Sequence, residues 1–105
     1  PTIYAYINPH LDVESNLEDF SESLRACLGW PRPRRFLNFE DALLEVFEVA
    51  KQRPVTLVFD EFQNFGRVHP SFYGTLQKLW DLNHEKNATA SRCLRFRRKF
   101  HARNL

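Results

Sequence analysis

The chain reads as an α/β domain in which parallel strands are joined by helical crossovers. Three observations predict this. Val55–Phe59 is an unbroken run of apolar and β-branched residues, the pattern of a strand buried on both faces. Thr2–Asn8 is rich in β-branched and aromatic residues and is closed by Pro9, so it reads as a second strand. Segments with helical periodicity lie between the two and again after the second, the order expected of a layered fold with right-handed crossovers.

Taken in order, Thr2–Asn8 is followed by Ser15-Asn-Leu-Glu18, a capping-box pattern that predicts the start of a helix. Leu17, Phe20, Leu24, Cys27 and Leu28 then recur at helical spacing, and Gly29 supplies a stop. Trp30–Arg35 holds two prolines, each of which disfavours helix in the residue before it, so it reads as an extended connection. Asn38 is placed to cap a second helix, with Asp41 near the positive end of its dipole. Phe39, Leu43, Val46, Phe47 and Ala50 make its core stripe, while Glu40, Glu45, Glu48 and Lys51 face water. Arg53-Pro54 ends it, and the buried strand follows. Gly66–Pro70 reads as a short loop. Pro70 opens a third helix through about Glu85, with Phe72, Leu76, Leu79 and Trp80 on one face.

Composition bounds the function. At 105 residues the chain is one small domain or part of a larger one, and ten Phe give it core material. No apolar run approaches the ~20 residues needed to cross a bilayer, and no secretory signal pattern opens the chain. Cys27 and Cys93 lie far apart, without metal spacing, and read as free thiols of a cytoplasmic protein. His10, His69, His84 and His101 are isolated from one another, which argues against a zinc site. From Arg92 onward there are six Lys or Arg and no acid, whereas residues 1–91 carry nine cations against thirteen acids. The chain therefore divides into a mildly acidic body, 1–90, and a basic tail, 91–105.

The chemistry is concentrated where the buried run ends in Asp60 and Glu61. Burying charge is costly unless the charge is paired or bound to a metal, and ligands of open α/β sheets collect beyond the carboxyl ends of the strands. In a magnesium-dependent nucleotide hydrolase, one carboxylate there holds the metal and a second polarises the attacking water. On that logic Asp60 coordinates magnesium and Glu61 is the catalytic base, with Gln63 and Asn64 placed to orient a γ-phosphate or the water. The bland alternative is a buried strand whose terminal acids cap a helix or pair with an arginine.

Longer segments add to this. Leu17–Leu24, Phe39–Leu43, Arg53–Phe65 and Pro70–Asp81 together resemble the central part of a family of prokaryotic AAA+-like P-loop ATPases. The resemblance runs from Tyr4 to Asn87. It is carried most specifically by Phe59-Asp-Glu-Phe-Gln-Asn-Phe65 followed by a Leu76-Gln-x-Leu-Trp-Asp81 helix. It implies that Asp60 and Glu61 are the Walker B pair, that residues 2–8 form the adjacent parallel strand, and that the intact protein binds ATP with Mg2+. The fold implied is part of a P-loop NTPase three-layer sandwich, with two adjacent parallel strands, about three helices and an irregular or helical basic tail.

Two departures limit that resemblance. No GxxxxGK[ST] phosphate loop is present, and the only glycines are Gly29, Gly66 and Gly74. The chain opens with Pro1 and contains no Met, so it is expected to be a fragment that starts just after that loop. The tail, moreover, carries a charge density that argues against a core strand where the family has one, which suggests a reading frame lost near residues 88–92. The strand ending in Asp60 is then left with one unpaired edge, which favours self-association.

Three readings follow. The first is a fragment of an ATP-hydrolysing P-loop ATPase, inactive alone because it cannot cradle phosphates. The second is a non-catalytic module that binds a protein partner. The third is a nucleic-acid binder, through Arg95, Arg97, Arg98, Lys99 and Arg103 with Phe96 and Phe100 interleaved.

Overall fold

The computed structural model describes residues 1–86 and 94–99. The elements in chain order are β1 (Thr2–Tyr6), α1 (Val13–Leu28), α2 (Phe39–Ala50), β2 (Val55–Asp60), α3 (Phe65–Val68), α4 (Phe72–Lys86) and β3 (Leu94–Lys99). One 3₁₀ turn, Phe62–Asn64, links β2 to α3. The strands form a three-stranded parallel sheet in the order β1-β2-β3. The α/β class and the parallel pairing of β1 with β2 are as the sequence predicts.

The expectation of two strands and an irregular or helical tail is corrected by β3. It pairs with β2 from Val55 opposite Leu94 to Asp60 opposite Lys99, so β2 is central and both its edges are occupied. The composition argument failed because it weighed the segment's total charge. A strand is read with period two, and at a sheet edge one row of cations can remain in water. Leu94, Phe96 and Arg98 stand in register with Val55, Leu57 and Phe59, whereas Arg95, Arg97 and Lys99 stand in register with Thr56, Val58 and Asp60. Residues 66–68, expected as part of a loop, belong to the short α3.

Among the described residues the helices pack against one face of the sheet, that of Ile3, Ala5, Val55, Leu57 and Phe59. One core cluster joins Ile3, Ala5 and Ile7 of the first strand segment with Val55, Leu57 and Phe59 of β2 and with the apolar stripes of α1, α2 and α4. The stripes are those the periodicity predicts: Leu17, Phe20 and Leu24; Phe39, Leu43, Val46, Phe47 and Ala50; Phe72, Leu76 and Leu79. At its centre is an aromatic cluster. The Phe59 ring lies 5.5 Å from Phe20, 5.3 Å from Phe65 and 6.1 Å from Phe72, between centroids. Phe39 closes the group at 5.7, 5.4 and 5.3 Å from the rings of Phe20, Phe65 and Phe72.

The helix ends show which local signals won. Helix α1 begins one turn earlier than the capping box predicts: Asp12 is the cap, its Oδ1 accepting from the Ser15 amide at 2.8 Å. That backbone hydrogen bond holds the Asp12 carboxyl below its ordinary range. Gly29 ends the helix in the left-handed region at φ 74°, and the Trp30 amide bonds back to the Arg25 carbonyl at 3.1 Å. Asn38 caps α2 as expected, accepting from the Asp41 amide at 2.8 Å. Cys27 is a free thiol that donates to the Thr2 carbonyl, whereas Cys93 lies outside the described residues.

Candidate functional site

Asp60 and Glu61 sit where the sequence places them, at the carboxyl end of the central strand, and both are buried at 8 % and 5 % exposure. They leave the strand differently. Asp60 is the last residue of β2, and the hydroxyl of Tyr4 on the neighbouring strand donates to Asp60 Oδ2 at 2.7 Å. Glu61 lies beyond the strand at φ 56°, the only positive φ of a non-glycine residue among those described. A side chain in this region costs on the order of 1 kcal/mol, and such strain persists only where the surroundings over-determine it.

The surroundings do. The Ile7 amide donates to the Asp60 carbonyl at 3.1 Å, and the Asn64 amide donates to the Glu61 carbonyl at 2.9 Å. The Asn64 side chain reaches across and donates to the Ile7 carbonyl at 2.8 Å, tying the turn to the end of β1. From α4, the Tyr73 hydroxyl lies 3.1 Å from the Gln63 carbonyl and 3.3 Å from that of Phe62. The turn after the acid pair is therefore held from two directions, and Glu61 is fixed with it.

The four candidate residues are thus brought together with different tasks. Gln63 is exposed and donates to Glu61 Oε2, so it orients the carboxylate. Asn64 is buried, and its side-chain amide is engaged by the Ile7 carbonyl, a structural clamp that the sequence did not announce. Tyr4 was missed altogether. Its only signal was the alternation of Ile3, Ala5 and Ile7 against Tyr4 and Tyr6, which is hard to see when both rows are apolar or aromatic.

Lys99 stands in register with Asp60, and the Arg98 guanidinium lies 5.7 Å from the centre of the Phe62 ring, beside Glu61 in sequence. No three His, Cys, Asp or Glu side chains form a metal cage among the described residues. Magnesium does not require one, since it is usually held by one or two carboxylates with the rest of its shell from water and phosphate. The glycines supply no phosphate cradle: Gly29 lies at a helix carboxyl end, the negative end of the dipole, and Gly66 and Gly74 lie within α3 and α4. The strand order also runs β1-β2-β3 without reversal, so no topological switch point opens beside the acids among the described residues.

Comparison with protein-family models, with curated proteins and with solved structures finds no match. No helix of the described residues is long and apolar enough to cross a membrane.

Proposed function

We propose that Asp60 and Glu61 are the carboxylate half of a magnesium–nucleotide site of an AAA+-like P-loop ATPase, and that this chain lacks the half that holds the phosphates. The observation that carries the reading is the pair itself: two buried acids at the carboxyl end of a central parallel strand, the second in a strained turn clamped from β1 and α4. A turn needed only to leave the strand would be relieved by glycine at position 61; an acid there is explained by chemistry.

In this reading Asp60 would hold Mg2+ and Glu61, oriented by Gln63, would take the proton of an attacking water. Bound ATP would supply the leaving group and most of the remaining magnesium ligands. Asn64 maintains the turn. Arg98, whose guanidinium lies against the Phe62 ring, would supply positive charge near the acids, where a polyphosphate would need it.

The expected behaviour of the chain alone is weak nucleotide binding and no turnover. Titration of a fluorescent ATP analogue with Mg2+ should show no saturation below about millimolar concentration. Tight binding that Asp60→Asn abolishes would contradict the proposal that the phosphate-holding half is missing.

A further inference from the structure

We infer that the cleft between the Trp30–Arg35 connection and the C-terminal half of α2 binds an acidic peptide segment of a partner protein. The cleft is a depression of about 530 Å³ whose walls include Trp30, Arg34, Glu45, Glu48, Val49 and Arg53. That volume lies within the range of about 300–1,000 Å³ usual for ligand sites, but its charged walls suit a charged chain better than an apolar small molecule. Arg53 precedes the amino end of β2, whereas Asp60 and Glu61 lie at its carboxyl end, so the cleft is separate from the magnesium site.

Charge is segregated here. Six of the nine Lys and Arg of residues 1–91 lie on this connection or at the helix ends beside it: Arg25, Arg32, Arg34, Arg35, Lys51 and Arg53. Three acids accompany them: Glu22 pairs with Arg25, Glu45 with Arg34 and Glu48 with Lys51, at 2.6, 2.6 and 2.7 Å. Six cations less three acids leave three positive charges in excess, whereas the rest of residues 1–91 holds three cations against ten acids. A basic patch on an acidic body attracts an acidic partner and orients it on approach.

The arginines are set in place before any partner arrives. The Arg34 guanidinium lies 4.0 Å from the centre of the Trp30 ring, and its Nη1 donates to Glu45 Oε1 at 2.6 Å. Arg53 is exposed, and its one partner among the described residues is the Leu28 carbonyl, to which Nη2 donates at 3.4 Å. A guanidinium carries five N–H donors in a fixed fork, so both arginines keep donors that can grip a carboxylate in pairs. Pro31 and Pro33 restrict the backbone of the connection, which lowers the entropy lost on binding. Trp30 and Val49 are partly buried against the core and give the cleft a fixed floor.

The pattern of donors and acceptors favours a peptide over a nucleic acid. Glu45 and Glu48 repel a continuous row of phosphates, which only accept hydrogen bonds. A peptide backbone can donate its N–H groups to these acids while its carboxylates meet the arginines. The Trp30 ring is half-buried with Arg34 over it, so it is poorly placed to stack a base. Of the tail residues that suggested nucleic acid, Phe100 and Arg103 lie outside the described residues.

The test is fluorescence anisotropy of a labelled octapeptide alternating Glu and Ala against the full chain, beside a Lys–Ala octapeptide and an oligothymidylate of the same charge. The acidic peptide is expected to saturate below about 1 mM at about 50 mM salt, to bind several-fold more weakly at about 200 mM, and to bind more tightly than either control. Arg53→Gln should weaken it about ten-fold, the loss of one charge-assisted pair. Arg67→Gln, at an exposed arginine of α3 outside the cleft, should leave it unchanged. Both side chains are exposed, so both variants should melt as the parent does. In an NMR titration the Trp30 indole N–H and the amides from Glu45 to Arg53 should shift together. Absence of saturation at low salt, tighter binding of the oligothymidylate, an equal effect of Arg53→Gln and Arg67→Gln, or shifts confined to the basic tail would overturn the proposal. So would a concentration-dependent dimer that Arg53→Gln dissociates.

Discussion

Phe59→Ala is expected to remove about 3–5 kcal/mol of folding free energy, the usual cost of deleting a fully buried phenylalanine. The reason is position as much as size. Phe59 is fully buried in the central strand, and its ring meets one partner from each of three helices: Phe20 from α1, Phe65 from α3 and Phe72 from α4. Phe62 meets it from the turn at 6.0 Å. Those partners are held on rigid elements, so the site cannot collapse around the cavity, which places the cost toward the upper end of the range. A domain of this length has about 5–15 kcal/mol in all, so a urea melt should show the midpoint falling by about a third or more, or no folded baseline. A shift below about 1 kcal/mol would mean that the aromatic cluster is not the centre of the core.

Asn16→Leu is the second large effect, about 2–3 kcal/mol, and no apolar count foresees it. Asn16 is 1 % exposed in the first turn of α1, and its side chain organises the whole β1–α1 loop. Its Oδ1 accepts from the Asn8 amide at 2.8 Å, while Nδ2 donates toward the carbonyls of Asn8, Leu11 and Asp12 at 3.0, 3.3 and 3.0 Å. Leucine matches the volume and leaves the Asn8 amide and the Leu11 carbonyl without that partner. Asn16→Asp separates hydrogen bonding from packing. It keeps the acceptor but sets a charge against three carbonyl oxygens, so its carboxyl should titrate above the ordinary range in the folded state. Sign follows from that: the loss should be largest at neutral pH and should shrink as pH falls through the raised value. Chemical denaturation of both variants at pH 7 and pH 5 measures it. Equal stability of Asn16→Leu and the parent would show that water replaces the side chain.

The elements that were legible in the sequence are those in which one signal dominated. The stripe from Phe39 to Ala50 and the run from Val55 to Phe59 appear as helix and strand because periodicity and burial agree there. Where two local signals competed, the wrong one could be chosen. Ser15-x-x-Glu18 is a good capping box, yet Asp12-x-x-Ser15 makes a cap one turn earlier and brings Val13 against the core. In β3 the alternation was hidden because Arg98 shares the row of Leu94 and Phe96, so four charged residues in six masked a period of two. The site was half legible. A strand ending in two acids announces itself; the partners of those acids come from residues 56 positions away, in the case of Tyr4, and only the fold can bring them together. Asn64 shows the converse. Its proximity to the acids in sequence suggested a ligand, whereas the fold uses it to hold the end of β1.

That division gives the nucleotide reading its particular form. The acids, the residue that orients Glu61 and the hydroxyl on Asp60 are brought together, while none of the glycines lies in a phosphate-cradling loop. The metal end of the site should therefore work in isolation even where the phosphate end cannot. Magnesium sites accept Mn2+, whose unpaired electrons broaden nearby NMR signals, so a titration of the labelled chain with Mn2+ reports the position of the metal directly. The account predicts early, selective broadening of the amides of Asp60, Glu61 and Tyr4, abolished in Asp60→Asn while the rest of the spectrum stays unchanged. Broadening spread over the exposed helix acids Glu14, Glu18 and Glu40, with the Asp60 and Glu61 signals untouched or the pattern indifferent to Asp60→Asn, would contradict it.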